Sequence, residues 1–246
     1  QVHCPLHNNI PDWLKLTAEN RLEEAYEVSQ STNNFPEICG SICPQDRLCE
    51  GNCVIEKGFE SVTIGRVEKH ITDTAWKKGW IKPIKPIREI NKSIGIIGSG
   101  PAGLAAAEQL RKKGYKVEIY DRYDRPGGLL IYGIPNFKLE KYAVQRRTKI
   151  LKKSRIVFHN NFEVGKTKSF DFLKKKHDAL LIATGVYKAK ELDFSEENLT
   201  GIVPALDFLI TNNKKGLGDN VPEFDNGKLN SINKNVVVIG GGDTAM

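Results

Sequence analysis

Short apolar runs divide the sequence into predicted strands. Residues 93–97, 117–120 and 179–183 are largely apolar, and runs of this length are typical of parallel strands that are buried on both faces. A fourth run of the same kind lies at residues 235–239. Between the first two runs, small and apolar residues recur at helical spacing up to Lys113, which predicts a helix. The pattern indicates an α/β fold with a parallel sheet.

The first 88 residues show a helical pattern. Apolar residues recur at steps of three and four from Ile10 to Tyr26, and Asp12 is placed to cap a helix about 15 residues long. The turn-forming run at residues 32–36 ends this helix. A second helix is predicted over residues 61–77, before a linker that contains two prolines.

These changes of pattern predict three domains. Residues 1–88 form a small helical domain, residues 89–189 the first segment of one nucleotide-binding domain, and residues 190–246 the start of a second. The sequence begins at Gln1 and ends at Met246, inside a glycine-rich turn. We therefore interpret it as a fragment that is truncated at both ends.

The composition is that of a globular protein. Apolar residues make up 39% and charged residues 27%, which excludes wholesale disorder. The net charge of +7 is spread along the chain and no aromatic-rich basic motif accompanies it, so we expect no nucleic-acid partner. No apolar run reaches the roughly 18 residues that a membrane span needs. We expect a cytoplasmic protein without a membrane partner.

All five cysteines fall in the first 53 residues. An odd number without a leader sequence favours a metal or redox site over a disulfide framework. Four of them form C-x3-C-x5-C-x3-C, and two cysteines are followed by proline. A Cys-Pro pair at the end of a cysteine run is typical of iron–sulfur loops. Zinc ribbons pair their ligands as C-x2-C, so zinc fits this spacing less well. Zinc and inert buried thiols remain alternatives to an iron–sulfur site.

A dinucleotide-binding fingerprint follows the first predicted strand. Residues 98–103 read G-x-G-x-x-G, and Asp121 follows the second strand, 23 residues after Gly98. In such turns the glycines permit a tight turn, close approach to a pyrophosphate, and helix packing. An acid at the position of Asp121 accepts hydrogen bonds from a ribose hydroxyl. FAD and a nicotinamide cofactor both use this fingerprint.

Two later glycine-rich segments favour FAD at this first site. Residues 125–135 form a glycine-rich loop, and Thr184 and Gly185 directly follow the third predicted strand. Both segments could also be simple turns. The fourth apolar run leads into a second glycine-rich turn. Two fingerprints about 140 residues apart predict a flavin domain that is interrupted by a nicotinamide domain. The NADPH-binding residues predicted in the second turn are Gly240, Gly241, Gly242, Asp243 and Thr244.

The combined motifs resemble a known family, the small (beta) subunits of glutamate synthase. The resemblance rests on the cysteine run, the 98–103 turn, the segment G-G-L-L-I-Y-G-I-P-N-F-K-L at residues 127–139, and the 201–224 segment. It implies an NADPH oxidoreductase in which electrons pass through FAD and [4Fe–4S] clusters to the FMN of a large (alpha) subunit, which makes glutamate from glutamine and 2-oxoglutarate. The fold implied is a helical iron–sulfur domain followed by a two-dinucleotide-binding, Rossmann-like α/β flavoprotein.

The resemblance also implies site residues, with the related dihydropyrimidine dehydrogenase as the pattern. One cluster would take Cys4, Cys43, Cys49 and Glu68, although a glutamate on a helix is by default solvated. Cys53 would serve a second cluster whose other ligands precede Gln1, and Cys39 would be a structural thiol. No catalytic acid, base or nucleophile is assigned. The FAD-binding residues implied are Gly98, Gly100, Pro101, Ala102, Gly103, Asp121, Gly128, Leu129, Lys138, Val164, Thr184 and Gly185.

Two other functions remain open from the sequence. One is a related electron-transfer adaptor, such as the flavin half of dihydropyrimidine dehydrogenase or of a ferredoxin:NADP oxidoreductase. The 201–224 segment favours glutamate synthase over these relatives. The other is a zinc-stabilised nucleotide-binding module without redox activity, which would be colourless and would hold tetrahedral zinc.

Overall fold

A computed structural model describes residues 1–188, 201–242 and 245. The helical unit at the amino terminus contains four helices: α1 (Ile10–Ala18), α2 (Leu22–Gln30), α3 (Pro36–Ile42) and α4 (Ile64–Lys78). Trp13 of α1 and Ile71 and Ala75 of α4 are fully buried. Helices α1, α2 and α4 therefore share one small hydrophobic core.

The single helix predicted before the cysteine run is wrong in two details. It is split into α1 and α2 by Asn20, whose φ of +61° lies in the left-handed region that asparagine tolerates better than most residues. Asp12 is not the helix cap, because the cap position is Asn9. The Asn9 side-chain amide donates a hydrogen bond of 2.6 Å to Asp12 Oδ2 within the first turn. The second predicted helix, over residues 61–77, is confirmed as α4.

The α/β unit contains a four-stranded, all-parallel sheet in the order β3-β2-β1-β4. The first predicted strand is β1 (Ser93–Ile97), the second is β2 (Lys116–Tyr120) and the third is β4 (Ala179–Ile182), while β3 (Val157–His159) was not predicted. The helix predicted between the first two strands is α5 (Pro101–Lys112). The α/β fold class is thus confirmed.

Five more helices surround the sheet or follow it among the described residues. Helix α6 (Leu129–Tyr132) is a single turn inside the segment predicted as a glycine-rich loop. Residues 130–132 of this turn are buried, so the segment is part of the core. The others are α7 (Lys141–Lys153), α8 (Phe170–Lys176), α9 (Ala205–Gly216) and α10 (Pro222–Asp225).

The largest hydrophobic core joins the two units. Phe35, which precedes α3, and Ile38 of α3 belong to the same buried cluster as Leu104 of α5 and Val144 of α7. The cluster also contains Leu139, which lies before α7. Helix α3 therefore packs on the α/β unit as well as on α4. Helix α3 thus contributes to the larger core, whereas α4 contributes to the core of the helical unit.

The strand predicted over residues 235–239 is wrong for this chain. These residues form no strand, and Val237 and Ile239 are 86% and 68% exposed. A strand is stable only when a neighbour pairs with its backbone. Among the described residues, this segment pairs with none of the four strands of the sheet. No helix in the described part of the chain is long and apolar enough to cross a membrane.

Candidate nucleotide and metal sites

The glycine turn predicted to bind a nucleotide lies at the carboxyl ends of β1 and β4. Gly98 follows β1 with φ of +106°, and a Cβ at this position would lie 2.3 Å from the carbonyl oxygen of Ala183, just after β4. A Cβ at Gly103 would lie 2.0 Å from the carbonyl oxygen of Gly98. Glycine is therefore required at both positions, once for the turn and once for the packing of α5 against it.

Asp121, the predicted ribose acceptor, lies at the end of β2 beside this turn. Its Oδ2 accepts hydrogen bonds from Ser99 N (2.6 Å) and Ser99 Oγ (2.5 Å), and its Oδ1 accepts one from Tyr123 N (2.9 Å). The side chain is buried, with the residue 8% exposed. A carboxylate has about four lone-pair positions, so Asp121 holds the turn together and keeps capacity for one further donor. Sequence reasoning missed Ser99, a residue in the variable second position of the fingerprint.

The second glycine-rich segment closes over the first. Gly127 N donates to Ser99 O (3.0 Å), and Gly128, with φ of +52°, approaches so closely that its Cβ would lie 2.8 Å from Gly100 Cα. A Cβ on Gly100 itself would meet open space. Gly100 is the cap residue of α5, whose first amides have no partner within the helix. This open, electropositive point fits the pyrophosphate of a dinucleotide.

The structure brings together most of the predicted FAD residues. These residues lie at the carboxyl edge of the sheet: Gly98, Pro101, Ala102, Gly103, Asp121, Gly128, Leu129, Thr184 and Gly185. Val164 packs against the cluster that contains Ile97 and Tyr120, the last residues of β1 and β2, so it also lies near this edge. Lys138 lies elsewhere, in a groove of about 1000 Å³ between the helical unit and α7.

Helix α9 is fastened to the second glycine segment by contacts that the sequence did not predict. Arg125 donates a pair of hydrogen bonds to Asp219 Oδ2 (2.8 Å) and Oδ1 (2.6 Å). Asn213 Nδ2 donates to the Tyr132 carbonyl (2.9 Å). Ion pairing with Asp219 holds the pKa of Arg125 above its usual range. The 201–224 segment thus lies against the predicted FAD region.

The second predicted nucleotide site is not assembled. Gly240, Gly241 and Gly242 are exposed and belong to no helix or strand, although Gly240 keeps the left-handed φ of +124° that a glycine turn requires. Asp243 and Thr244 lie outside the described residues. The NADPH-binding residues therefore remain predictions.

The candidate metal site is centred on Cys43, the residue that ends α3. Burial raises the pKa of the Cys43 thiol, and the nearby Cys4 thiol and Glu68 carboxylate raise it further. Burial, with Glu50 and Cys43 close by, raises the pKa of Cys49 to about 11. None of these thiols forms a disulfide. Cys4, Cys49 and Glu68 thus each lie near enough to Cys43 to interact with it electrostatically.

Glu68 is not the solvated side chain that its place on a helix suggested. The residue is 9% exposed, and its Oε1 accepts hydrogen bonds from Asn33 Nδ2 (3.0 Å) and Ser29 Oγ (3.3 Å). Burial raises its pKa to about 7 despite these two hydrogen bonds. A buried carboxylate without a basic partner in the described hydrogen bonds is costly, and binding to an iron cluster would offset that cost.

The other two cysteines differ from this group. Cys39 Sγ lies 3.5 Å from Asn33 Oδ1, and burial raises the pKa of Cys39 to about 12, which fits a protonated structural thiol. Cys53 is half-buried at the end of the following turn, where its amide donates to Glu50 O (2.9 Å). Cys53 remains a prediction as a ligand.

The donor set fits a cluster better than a single zinc ion. Within the described residues, no three His, Cys, Asp or Glu side chains lie close enough to hold one metal ion. A [4Fe–4S] cluster bonds each ligand to a different iron atom, so its ligands lie further apart than the four ligands of one tetrahedral zinc. The free thiols near Cys43 are the type of donor that such clusters use.

Comparison with known families decides the assignment of the chain. The model of the pyridine nucleotide-disulphide oxidoreductase family matches residues 92–246. The chain belongs to this family. A second model, dihydropyrimidine dehydrogenase domain II with a 4Fe-4S cluster, matches residues 1–80. The two matches confirm the fold class, the oxidoreductase class and the kinds of cofactor that the sequence predicted.

Individual relatives confirm the resemblance that the motifs indicated. The chain is 65% identical over 247 residues to the glutamate synthase [NADPH] small chain of Azospirillum brasilense, covering 100% of this chain and 51% of that protein. It is 45% identical over 244 residues to the oxidoreductase AegA of Escherichia coli (strain K12), covering 99% of this chain and 37% of that protein. A solved structure, Mycobacterium tuberculosis FprA in complex with NADPH, matches with 26% identity and a TM-score of 0.45, over 51% of this chain and 28% of that one. The chain thus spans about half the length of the small chain that it matches.

Proposed function

We propose that this chain is part of the electron-input subunit of glutamate synthase. In this proposal FAD accepts a hydride from NADPH, and [4Fe–4S] clusters pass single electrons to a large (alpha) subunit that makes glutamate from glutamine and 2-oxoglutarate. The observation that carries the proposal is the 65% identity to a glutamate synthase [NADPH] small chain along the whole of this chain.

The glycine turn supports FAD as the first cofactor. Gly100 leaves open space at the start of α5, where amides without partners can hold a pyrophosphate. Asp121 keeps one acceptor position for a ribose hydroxyl. The work of these residues is to bind and orient the cofactor, because hydride transfer between stacked rings depends on position more than on proton transfer.

The residues around Cys43 support one [4Fe–4S] cluster. Cys4, Cys43 and Cys49 would supply thiolates, and Glu68 a carboxylate, while Cys53 would serve a second cluster. Since burial raises the pKa values of Cys43 and Cys49, iron binding must displace protons from these thiols. Free cysteines and a pyridine nucleotide both suit the reducing cytoplasm, where we place this reaction.

A related electron-transfer adaptor is the second candidate. The 45% identity to the oxidoreductase AegA favours it, because proteins that share these two domains need not deliver electrons to the same partner. The two candidates share every cofactor and differ only in the acceptor. Glutamate formation with a purified large subunit therefore distinguishes them.

Replacement of Cys43 by serine tests the cluster within the proposed function. In the protein at the full length of its relatives, Cys43→Ser should lower the iron and acid-labile sulfide content by about one cluster and abolish NADPH-dependent glutamate formation. The flavin should remain bound, because Cys43 lies in the helical unit. Metal and sulfide analysis together with the visible spectrum checks each of these outcomes.

Cys39→Ser is the matched control, since Cys39 lies one helical turn before Cys43 in α3 and bonds to Asn33. This variant should keep its iron. Equal iron content in the Cys43→Ser variant and the unmodified protein would contradict the ligand assignment. Loss of iron in both variants to the same extent would indicate that α3 was disturbed as a whole.

A further inference from the structure

Two consecutive arginines of α7 each hold a different helix of the helical unit. Arg147 donates from Nε to Glu37 Oε1 (2.9 Å) and from Nη2 to Glu37 Oε2 (2.8 Å). Glu37 lies in the first turn of α3. The two side chains are 5% and 1% exposed, so this bidentate ion pair lies fully inside the boundary between the units.

Arg146 makes the second contact, to α4. Its Nη2 lies 2.5 Å from Asp73 Oδ1. Successive residues of a helix point about 100° apart, which lets neighbouring arginines reach two different helices. Trp76 of α4 lies between them, with its ring centre 4.9 Å from Arg146 Cζ and 5.2 Å from Arg147 Cζ. The four charged side chains and Trp76 form one joint, which we call the arginine joint.

The helices that the arginine joint holds are those that carry candidate cluster ligands. Cys43 caps the carboxyl end of α3, and α4 carries Glu68 slightly more than one turn before Asp73. Helix α7 belongs to the unit that contains the predicted FAD site, and its Val144 packs in the same core as Ile38 of α3. The joint therefore connects both ligand-bearing helices directly to the nucleotide-binding unit.

The chemistry of the joint favours a role in orientation. A buried ion pair is weak support for stability, because the desolvation of two charges offsets much of their attraction. A bidentate arginine–carboxylate pair nevertheless fixes both distance and angle, which a lysine cannot do. Both guanidinium groups also lie within cation–π distance of the Trp76 ring.

We propose that Arg146 and Arg147 are positioning residues that set the distance and angle between the iron–sulfur cluster and the flavin. The proposal rests on the proposed function for the presence of both cofactors. It assigns to the joint a role in the transfer of electrons from flavin to cluster, and none in the reduction of the flavin by NADPH.

Arg147→Lys tests this role in the full-length protein, with Arg155→Lys as the matched control. Arg155 follows α7 and its side chain is 82% exposed. The flavin reduction rate on mixing with NADPH, measured by stopped-flow absorbance, should be unchanged in both variants. The cluster reduction rate, measured by freeze-quench electron paramagnetic resonance, should fall severalfold in Arg147→Lys alone, because electron transfer slows steeply as the distance between the two cofactors increases.

A second readout does not require electron transfer. Hydrogen exchange of the α3 amides should be faster in Arg147→Lys than in the control, and iron content should be equal in both. If Arg147→Lys fails to fold, Arg146→Lys, whose partner Asp73 is half-buried, should show the same selective slowing. Wild-type cluster reduction and wild-type exchange in both joint variants would overturn the proposal. An unmodified protein without flavin or iron would instead overturn the proposed function. The exchange data would still show whether Arg147 holds α3 in place.

Discussion

Gly100 and Gly103 belong to the same turn, but the structure indicates a different reason for glycine at each position. A Cβ at Gly103 would lie 2.0 Å from Gly98 O, whereas a Cβ at Gly100 would meet open space. Gly100 also has an ordinary φ of −66°, so its own backbone does not require glycine. The fold explains the glycine at position 103, and close approach of a bound pyrophosphate would explain the glycine at position 100.

Alanine at these two positions separates folding from binding. Gly103→Ala should lower the free energy of unfolding by roughly 1–3 kcal/mol, the usual cost of overpacking. Gly100→Ala should leave the unfolding free energy within about 0.5 kcal/mol of the unmodified value and weaken FAD binding, because its methyl group occupies the pyrophosphate position. Chemical denaturation and FAD titration of the apoprotein check the pair. Full FAD affinity in Gly100→Ala would contradict the binding site.

Lys141 is a second residue whose surroundings the sequence did not predict. It is the first residue of α7 and is 6% exposed, and its Nζ donates to the carbonyl oxygens of Leu130 (3.1 Å) and Ile134. Burial lowers its pKa to about 8 from the usual 10.5. These contacts close the end of α6, the turn that follows Gly128.

The lowered pKa of Lys141 predicts a pH-dependent stability. Between pH 8 and pH 10.5 the unfolded chain holds a proton that the folded chain lacks, so the folded state gains stability as the pH rises through this window. The unfolding free energy of the unmodified protein, minus that of Lys141→Met, should therefore increase from pH 8 to pH 10.5, by at most about 3 kcal/mol. Urea denaturation across this range measures it, with exposed Lys149→Met as control. A flat difference would contradict the buried ammonium.

At the scale of elements, the sequence pattern predicted the first strand and the helix that follows it best. Strand β1 begins and ends where its apolar run does, and α5 starts at the glycine turn. The signals for these two elements are local in the sequence, because the apolar run forms β1 itself and the glycine that caps α5 directly precedes that helix. The break at Asn20 could have been predicted from the tolerance of asparagine for left-handed φ, but helical periodicity across residues 10–26 concealed it.

The candidate metal site was predictable only in part. The cysteine spacing indicated the kind of site, and Glu68 came from family resemblance. Its burial depends on Ser29 and Asn33, which lie 39 and 35 residues away in the sequence. Contacts over such distances are set by tertiary packing, which composition and periodicity do not report. The same reason explains why the ion pair of Glu37 with Arg147, 110 residues apart, was missed.

The exposed apolar segment at residues 235–239 gives a prediction about an element. We expect it to become a strand when the chain is extended to the length of its small-chain relatives, where a partner strand can pair with it. Its amides should exchange with solvent within seconds in the present chain and at least 100-fold more slowly in the extended protein, because paired backbone amides are protected. Hydrogen-exchange mass spectrometry compares the two. Rapid exchange in both would contradict a second nucleotide-binding domain that begins here.

At the scale of the whole molecule, the two units form one continuous structure. Phe35 and Ile38 place α3, which precedes the candidate ligand Cys43, in the core of the α/β unit, and the arginine joint adds a polar contact. A cluster near Cys43 and a flavin near Gly100 would then be held by a shared core. This arrangement suits electron transfer, where the protein contributes distance and orientation and the cofactors supply the chemistry.

The most direct test of this account is the visible spectrum of the full-length protein, purified without oxygen, before and after addition of NADPH. We predict flavin bands on a broad iron–sulfur absorption, with iron and sulfide in equal amounts and no zinc. NADPH should bleach both the flavin bands and the iron–sulfur absorption. A colourless protein that contains zinc would contradict the account and would favour a nucleotide-binding module without redox activity.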